Sequence, residues 1–488
     1  MKNQYKTPLF TALKNHSSKQ TVQFDVPGHK QGKGIPELTD YFGNRMLRGD
    51  INSMHGMDNL LNPQGIIREA EELAAELFNS DAAFFIVNGT TSAVQTMILA
   101  SCQQGDSIII PRNAHKSVIN ALIICGAIPI YVQPIASQKL GLTLGVTEID
   151  YIETIKNHPE AKAVLIINPT YYGFVCDIEK VVKVAHESGM LALADEAHGT
   201  HFYFHEELPK GAISVGADMA ALSLHKTGGS LTQSSILLLN ERRLKRNYIK
   251  TIVNLTQTTS ASYLLMSSLD VARKQLAVNG REMYQQVISL TEKARESIKK
   301  MDGYIPISRE NIEELLMFDY DITKLVVNVK FLDITGIRLS EILAEKYDIY
   351  AEFGDADNIL FIVGIGTTDD NINKLIIALS EIKENHCVYK KQANFRPWCK
   401  SQQILSPREA FYSPQKKIKF KDSIGRISGE FVMFYPPGIP ILAPGELISE
   451  ESYNYIRLLL EENATITGIE DRTVETINII DKTENYIK

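Results

Sequence analysis

Met190-Leu191-Ala192-Leu193-Ala194-Asp195-Glu196-Ala197-His198 opens with five apolar residues and closes on two carboxylates and an imidazole. An apolar run this short and this uniform predicts a strand buried on both faces, as in a parallel sheet covered by helices. Similar runs occur at 83–87, 107–110, 129–132, 163–167, 219–224 and 235–239. Between them, 66–78, 91–102, 115–125 and 178–188 carry helical apolar spacing. Strands alternating with helices from about 66 to 240 define an α/β domain with a mostly parallel sheet. Ligands of such sheets bind at the carboxyl ends of the strands. Asp195 therefore stands where chemistry is expected.

Outward from this domain the pattern changes. Residues 260–298 read as strongly helical, with Gly280 predicting a break. A second alternation follows, with strands at 324–330 and 359–364 and helices at 339–346 and 369–384. It predicts a smaller α/β domain. Residues 385–425 are polar, carry Lys/Arg clusters and lack periodicity, so they read as a long connection. Residues 1–55 are rich in Gly and Pro and read as an arm. The expected organisation is an arm over 1–55, a large domain over 56–300 and a C-terminal small domain over 301–488 that includes the connection.

Composition narrows the function classes. A net charge of −7 over 488 residues argues against nucleic acid, whose phosphates call for a basic surface. No apolar stretch approaches membrane-span length, and no apolar segment of signal-peptide type follows the N-terminal lysines. Cys102, Cys125, Cys176, Cys387 and Cys399 are scattered, with no CxxC pair, which reads as reduced thiols in the cytoplasm.

Four constellations fall at strand ends. Ser223-Leu224-His225-Lys226 puts a lysine after a buried run, where partial desolvation would make its amine a better nucleophile. Taken alone, this is also how a solvated loop lysine looks. Asp195 closes another strand and could pair with a protonated ring nitrogen or simply cap the next turn. Asn88-Gly89-Thr90-Thr91-Ser92 lies between a strand and a helix, where free N–H groups and the helix dipole favour phosphate. Ordinary N-capping reads the same way. His115, in Arg112-Asn113-Ala114-His115-Lys116-Ser117, could stack on a flat ring or serve as a cap. Together the four offer a phosphate cup, a stacking ring, a carboxylate and an amine. A phosphorylated pyridine aldehyde needs all of these.

With those motifs, and with Pro27-Gly28-His29-Lys30, Asn168-Pro169-Thr170-Tyr171 and Tyr435-Pro436-Pro437-Gly438-Ile439-Pro440, the chain resembles the fold-type-I pyridoxal-phosphate (PLP) decarboxylases of ornithine, lysine and arginine. It is most similar to the short bacterial arginine decarboxylases. The resemblance covers nearly the whole chain. It implies an aspartate-aminotransferase-like large domain and a C-terminal small domain. It further implies that Lys226 holds PLP as a Schiff base and Asp195 pairs with the pyridine nitrogen. His115 would stack on the ring, and His198 would lie near ring and substrate. Thr90, Thr91, Ser223 and His225 would hold the phosphate, and Lys226 or His225 would return a proton to Cα. Thr258 is a candidate for a phosphate contact in the neighbouring subunit. The implied reaction is arginine to agmatine and CO2 in polyamine biosynthesis, in a homodimer or higher oligomer with its site between subunits. Lysine and ornithine are the alternative substrates.

A basic side chain calls for an acidic pocket end, for which Glu430 is the candidate, against a plain strand-edge glutamate. Rival readings exist. Asp195, His198, His201, His205 and Glu206 crowd one stretch, and His201 and His205 would share a helical face as hydrolase metal ligands. Phe202-Tyr203-Phe204 between them reads instead as extended. Asp195-Glu196-Ala197-His198 spells a helicase box, but no GxxxxGK[ST] loop accompanies it. A decarboxylase-like regulator without activity would not need the intact Lys226 and Asp195.

Overall fold

A computed structural model describes residues 2–54, 56–312, 315–386, 402–434, 438–461 and 465–481. Tyr435, Pro436 and Pro437 and much of the expected connection, 387–401, lie outside the described residues. The chain forms two compact units, Met1–Ala100 with Leu191–Gln285, and Ser101–Met190 with Gln286–Lys488.

In the first unit, the strands Ala82–Ile86, Ser235–Leu239, Met219–Leu222 and Leu191–Glu196 lie side by side in that order. All but Leu191 at one edge are buried, because both faces are covered, as the unbroken apolar runs predict. Leu191–Glu196 and Met219–Leu222 run parallel, with Asp195 opposite Ala221. Ser235–Leu239 runs antiparallel to both of its neighbours. Its first residue, Ser235, therefore sits opposite Ile86, at the end where the neighbouring strands finish.

The helix Ile66–Leu77 packs on this sheet through Ile67, Ala70, Leu73 and Ala74, spaced three and four apart. Glu71 shares that buried face, and its Oε1 accepts the Phe85 N–H at 2.9 Å. Burial pushes its carboxyl up to about 7, against the pull of Lys250. A raised folded-state value means a contribution fully present below pH 4.5 and lost as pH rises through about 7. The loss is on the order of 3 kcal/mol. Glu71→Gln keeps an acceptor for Phe85 and cannot titrate. In thermal melts from pH 5 to 8, this variant is expected to lose less stability than the native chain. Parallel curves would contradict that.

Within residues 2–54 the chain forms helices at Pro8–Ser18, Pro36–Phe42 and Asn44–Gly49. The expected break at Gly280 does not occur: Tyr263–Lys299 is one helix of 37 residues. Gly280 serves packing, since a Cβ there would meet Phe204 Cδ1 at 3.0 Å.

In the second unit, Ala163–Ile167, Ser107–Pro111 and Ile128–Val132 are parallel neighbours. A four-stranded antiparallel sheet follows, ordered Ile305–Pro306, Lys324–Asn328, Asn358–Ile362, Phe353–Gly354, with the helices Gly336–Tyr347 and Asp369–Glu384. The described end of the expected connection is folded. Ser406 and Glu409 form a capping box on the helix Pro407–Tyr412, and Gln415–Lys419 pairs with Thr476–Ile480. Polar composition without periodicity concealed a six-residue helix and an edge strand. No helix among the described residues is long and apolar enough to cross a membrane.

Candidate active site

The site is built where adjacent strands of the first unit end. Asp195 lies at the end of Leu191–Glu196, and Ser223 follows Met219–Leu222 directly. Because these strands are parallel neighbours, both ends open on the same edge. Past Ser223 the chain makes a π-helical turn, Leu224–Gly228, which carries His225 and Lys226. Single π turns widen the backbone spacing and are frequent at functional sites.

Lys226 Nζ lies 3.0 Å from His198 Nε2. An ammonium donates this bond to the imidazole lone pair, which ties the lysine to the loop after Asp195. Lys226 is itself exposed, so activation of its amine by burial does not hold. What conditions the amine is its surroundings, with His198 at contact distance and Asp195 exerting Coulombic attraction.

Asp195 is buried, and its Oδ1 accepts the Ala197 N–H at 3.1 Å. Burial pushes its carboxyl up, while the Ala197 N–H and the Lys226 charge pull it down. His225 donates from Nδ1 to the Ser234 carbonyl at 2.8 Å. Burial lowers its pKa, opposed by the Ser234 bond and assisted by the Lys226 charge. The ring is thus held neutral, with Nε2 as its acceptor side.

A hydroxyl cluster borders these groups. Thr90 Oγ1 bonds the Ser223 hydroxyl and lies 2.6 Å from Ser235 Oγ. Gly89, at φ +75°, turns the chain from the strand Ala82–Ile86 into the helix Gly89–Ser101. Thr90 then lies in the first turn, beside backbone N–H groups that lack helical acceptors. Thr91 is exposed at the same end. Ser235 was absent from the sequence-based candidates. Nothing in Ser235-Ile236-Leu237-Leu238-Leu239 signals that the strand runs antiparallel, which is what places its first hydroxyl here.

Thr258 is half-buried, its N–H 3.4 Å from Asn88 Oδ1 and its Oγ1 accepting the Ser260 N–H at 3.1 Å. Thr90, Asp195, His198, Ser223, His225, Lys226 and Thr258 thus all belong to the first unit.

The other two candidates belong to the second unit. His115 is the N-cap of the helix Lys116–Cys125, its Nδ1 accepting the Ser117 N–H at 3.2 Å. Arg112, three residues earlier, is fully buried against Glu446, with Nε–Oε1 at 2.9 Å and Nη2–Oε2 at 2.7 Å. Its Nη1 also donates to the Pro440 carbonyl at 2.6 Å. Glu430 requires a correction. Its Oε1 accepts the Glu470 N–H and its Oε2 the Asn478 N–H, each at 2.7 Å. Each oxygen thus ties down a backbone N–H of its own unit, which makes Glu430 a structural tie within that fold.

The helical face shared by His201 and His205 that the hydrolase alternative calls for does not form. His201 lies in the short 3-10 turn Thr200–Tyr203, and His205 lies beyond it, its Nε2 3.0 Å from Gln285 Oε1 and its Nδ1 accepting the Glu207 N–H. Among the described residues no three His, Cys, Asp or Glu side chains converge as metal ligands.

The family model "Orn/Lys/Arg decarboxylase, major domain" matches residues 7–324, and the corresponding C-terminal domain matches 391–484. The chain is 43% identical over 485 residues to an arginine decarboxylase of Bacillus anthracis, covering 98% of each chain. It is 42% identical to an arginine decarboxylase of Bacillus subtilis, again over 98% of each. Among solved structures, a lysine decarboxylase of Francisella novicida superposes with a TM-score of 0.86 at 20% identity, over 97% of this chain and 81% of that one.

Proposed function

The chain belongs to the Orn/Lys/Arg decarboxylase family, and from that premise we propose that it converts L-arginine to agmatine and CO2. It is a fold-type-I, PLP-dependent amino-acid decarboxylase. The observation that carries the mechanism is Asp195 beside Lys226 at the ends of two adjacent parallel strands. The choice of arginine rests on the full-length similarity to enzymes of that name.

The site fits the cofactor on its own chemistry. Asp195 is buried with the Ala197 N–H as its one direct donor among the described residues, so it suits a cationic N–H partner such as a pyridinium. Thr90, Ser223 and Ser235 with the first N–H groups of the helix Gly89–Ser101 suit a phosphate. The Thr227 and Thr200 hydroxyls are buried without a partner among the described residues and could donate to a ligand here. When bound, PLP supplies an aldehyde for amines and an electron-poor ring that takes up the electron pair released as CO2 leaves.

The residues then divide the work. Lys226 supplies the amine that holds the cofactor. Asp195 keeps a positive charge on the ring nitrogen through its carboxylate. His198, 3.0 Å from Lys226 Nζ, exchanges a proton with that amine and orients it. His225 stays neutral with Nδ1 fixed on Ser234, so Nε2 can accept a proton or a phosphate-bound hydrogen. Thr91 is assigned a phosphate contact, and Thr258 a contact with the phosphate of the neighbouring subunit in a cytoplasmic homodimer. Glu430 takes no part.

Purified protein with PLP and either arginine, lysine or ornithine tests the substrate. CO2 release from arginine is expected to exceed the other two by at least roughly 100-fold in kcat/KM, about 3 kcal/mol of discrimination. Preference for lysine or ornithine would overturn the substrate and leave the chemistry standing.

A further inference from the structure

Gln257 has no place in the reading above, yet it is the buried residue in the stretch Thr256-Gln257-Thr258. Its Oε1 accepts the Val87 N–H at 2.9 Å, two residues before Gly89. The Val87 carbonyl in turn accepts from Gln233 Nε2 at 2.6 Å. Val87 closes the strand side of the turn that carries Thr90, and two carboxamides therefore clamp its peptide groups. The residues beside Gln257 continue the seam. Ser92 Oγ donates to the Thr256 carbonyl at 2.9 Å, Thr96 Oγ1 lies 2.9 Å from Thr256 Oγ1, and the Thr258 N–H points to Asn88 Oδ1.

One group in this seam is unsatisfied. With Oε1 fixed on Val87, Gln257 must present Nε2 as a donor, and that atom is buried without an acceptor among the described residues. Gln257 is only 6% exposed. A buried donor left unpaired costs about 1–3 kcal/mol. An apolar residue of that size would fill the space without the cost but could not hold the Val87 N–H.

We propose that Gln257 is a positioning residue of the phosphate site, fixing the Val87–Thr90 turn so that its hydroxyl and N–H groups converge on a phosphate. This inference rests on the assignment of that turn to the PLP phosphate. Holding the donors in place before binding removes an ordering cost that the ligand would otherwise meet.

The test separates phosphate from ring. Apoprotein is titrated with PLP and with pyridoxal, which has the same aldehyde and ring and no phosphate. Binding is read by visible absorbance and circular dichroism. In Gln257→Leu, affinity for PLP is expected to fall at least ten-fold, with affinity for pyridoxal unchanged. Gln257→Met is closer to glutamine in shape and flexibility and likewise lacks the acceptor for the Val87 N–H. It is expected to fold if the leucine variant does not, and to show the same selective loss. Equal losses for both ligands, or no loss for either, would overturn the role of Gln257. If the native chain bound PLP no better than pyridoxal, the phosphate assignment itself would fall.

Discussion

Lys226→Ala is expected to abolish CO2 release, by roughly 10⁴-fold or more, the scale on which enzymes lose activity when a covalent group is removed. Lys226 is exposed, so truncating it opens no cavity and the variant should melt with the native chain. What disappears is the amine that holds the cofactor and exchanges a proton with His198 at 3.0 Å. Visible absorbance from covalently held PLP should vanish with the activity. A variant that kept either signal would place the lysine elsewhere.

Asp195→Asn separates function from stability in opposite directions. The amide keeps the Oδ1 acceptor for the Ala197 N–H and removes the charge. Without the carboxylate the ring nitrogen loses its counter-ion, and kcat should fall by about 10²–10⁴-fold. Stability of the apoprotein should move the other way. Burial raises the Asp195 carboxyl, so the native state carries a desolvation penalty that is absent at low pH and present once the group ionises. At pH 7 the apo variant should melt above the native apoprotein, and the difference should shrink as pH falls toward 4. Lower stability at pH 7 would show that Asp195 is held by partners other than Ala197 and Lys226. Unchanged kcat would remove it from the ring nitrogen.

Much of this site can be read before any coordinate is seen, for a definable physical reason. Strands buried on both faces must be uniformly apolar, so the first polar residue after each run marks the open edge of the sheet. Asp195 and Ser223-Leu224-His225-Lys226 each follow an apolar run in the sequence, and both fall at strand ends. Thr90 followed from the strand-to-helix turn at Gly89. The rule has no term for direction. Ser235–Leu239 is as apolar as its neighbours, and its antiparallel course, which delivers the Ser235 hydroxyl, is set by a connection and not by its own pattern.

Longer-range requirements were hidden too. Gly280 looks like a helix break because glycine is a poor helix former, yet the helix runs through it where the Phe204 ring packs so closely that a Cβ would meet it at 3.0 Å. Glu430 looked like a free carboxylate because nothing near it in sequence shows that the backbone of Glu470 and Asn478 would claim both oxygens. The burial of Gln257 was equally invisible, since its partner Val87 is 170 residues away.

The most direct test of the central claim is to reduce the PLP-loaded protein with borohydride and map the pyridoxyl label by peptide mass spectrometry. The account predicts a stable label on Lys226 and on no other lysine, lost in Lys226→Ala. A label on a different lysine, or none on a protein that still releases CO2 from arginine, would contradict it.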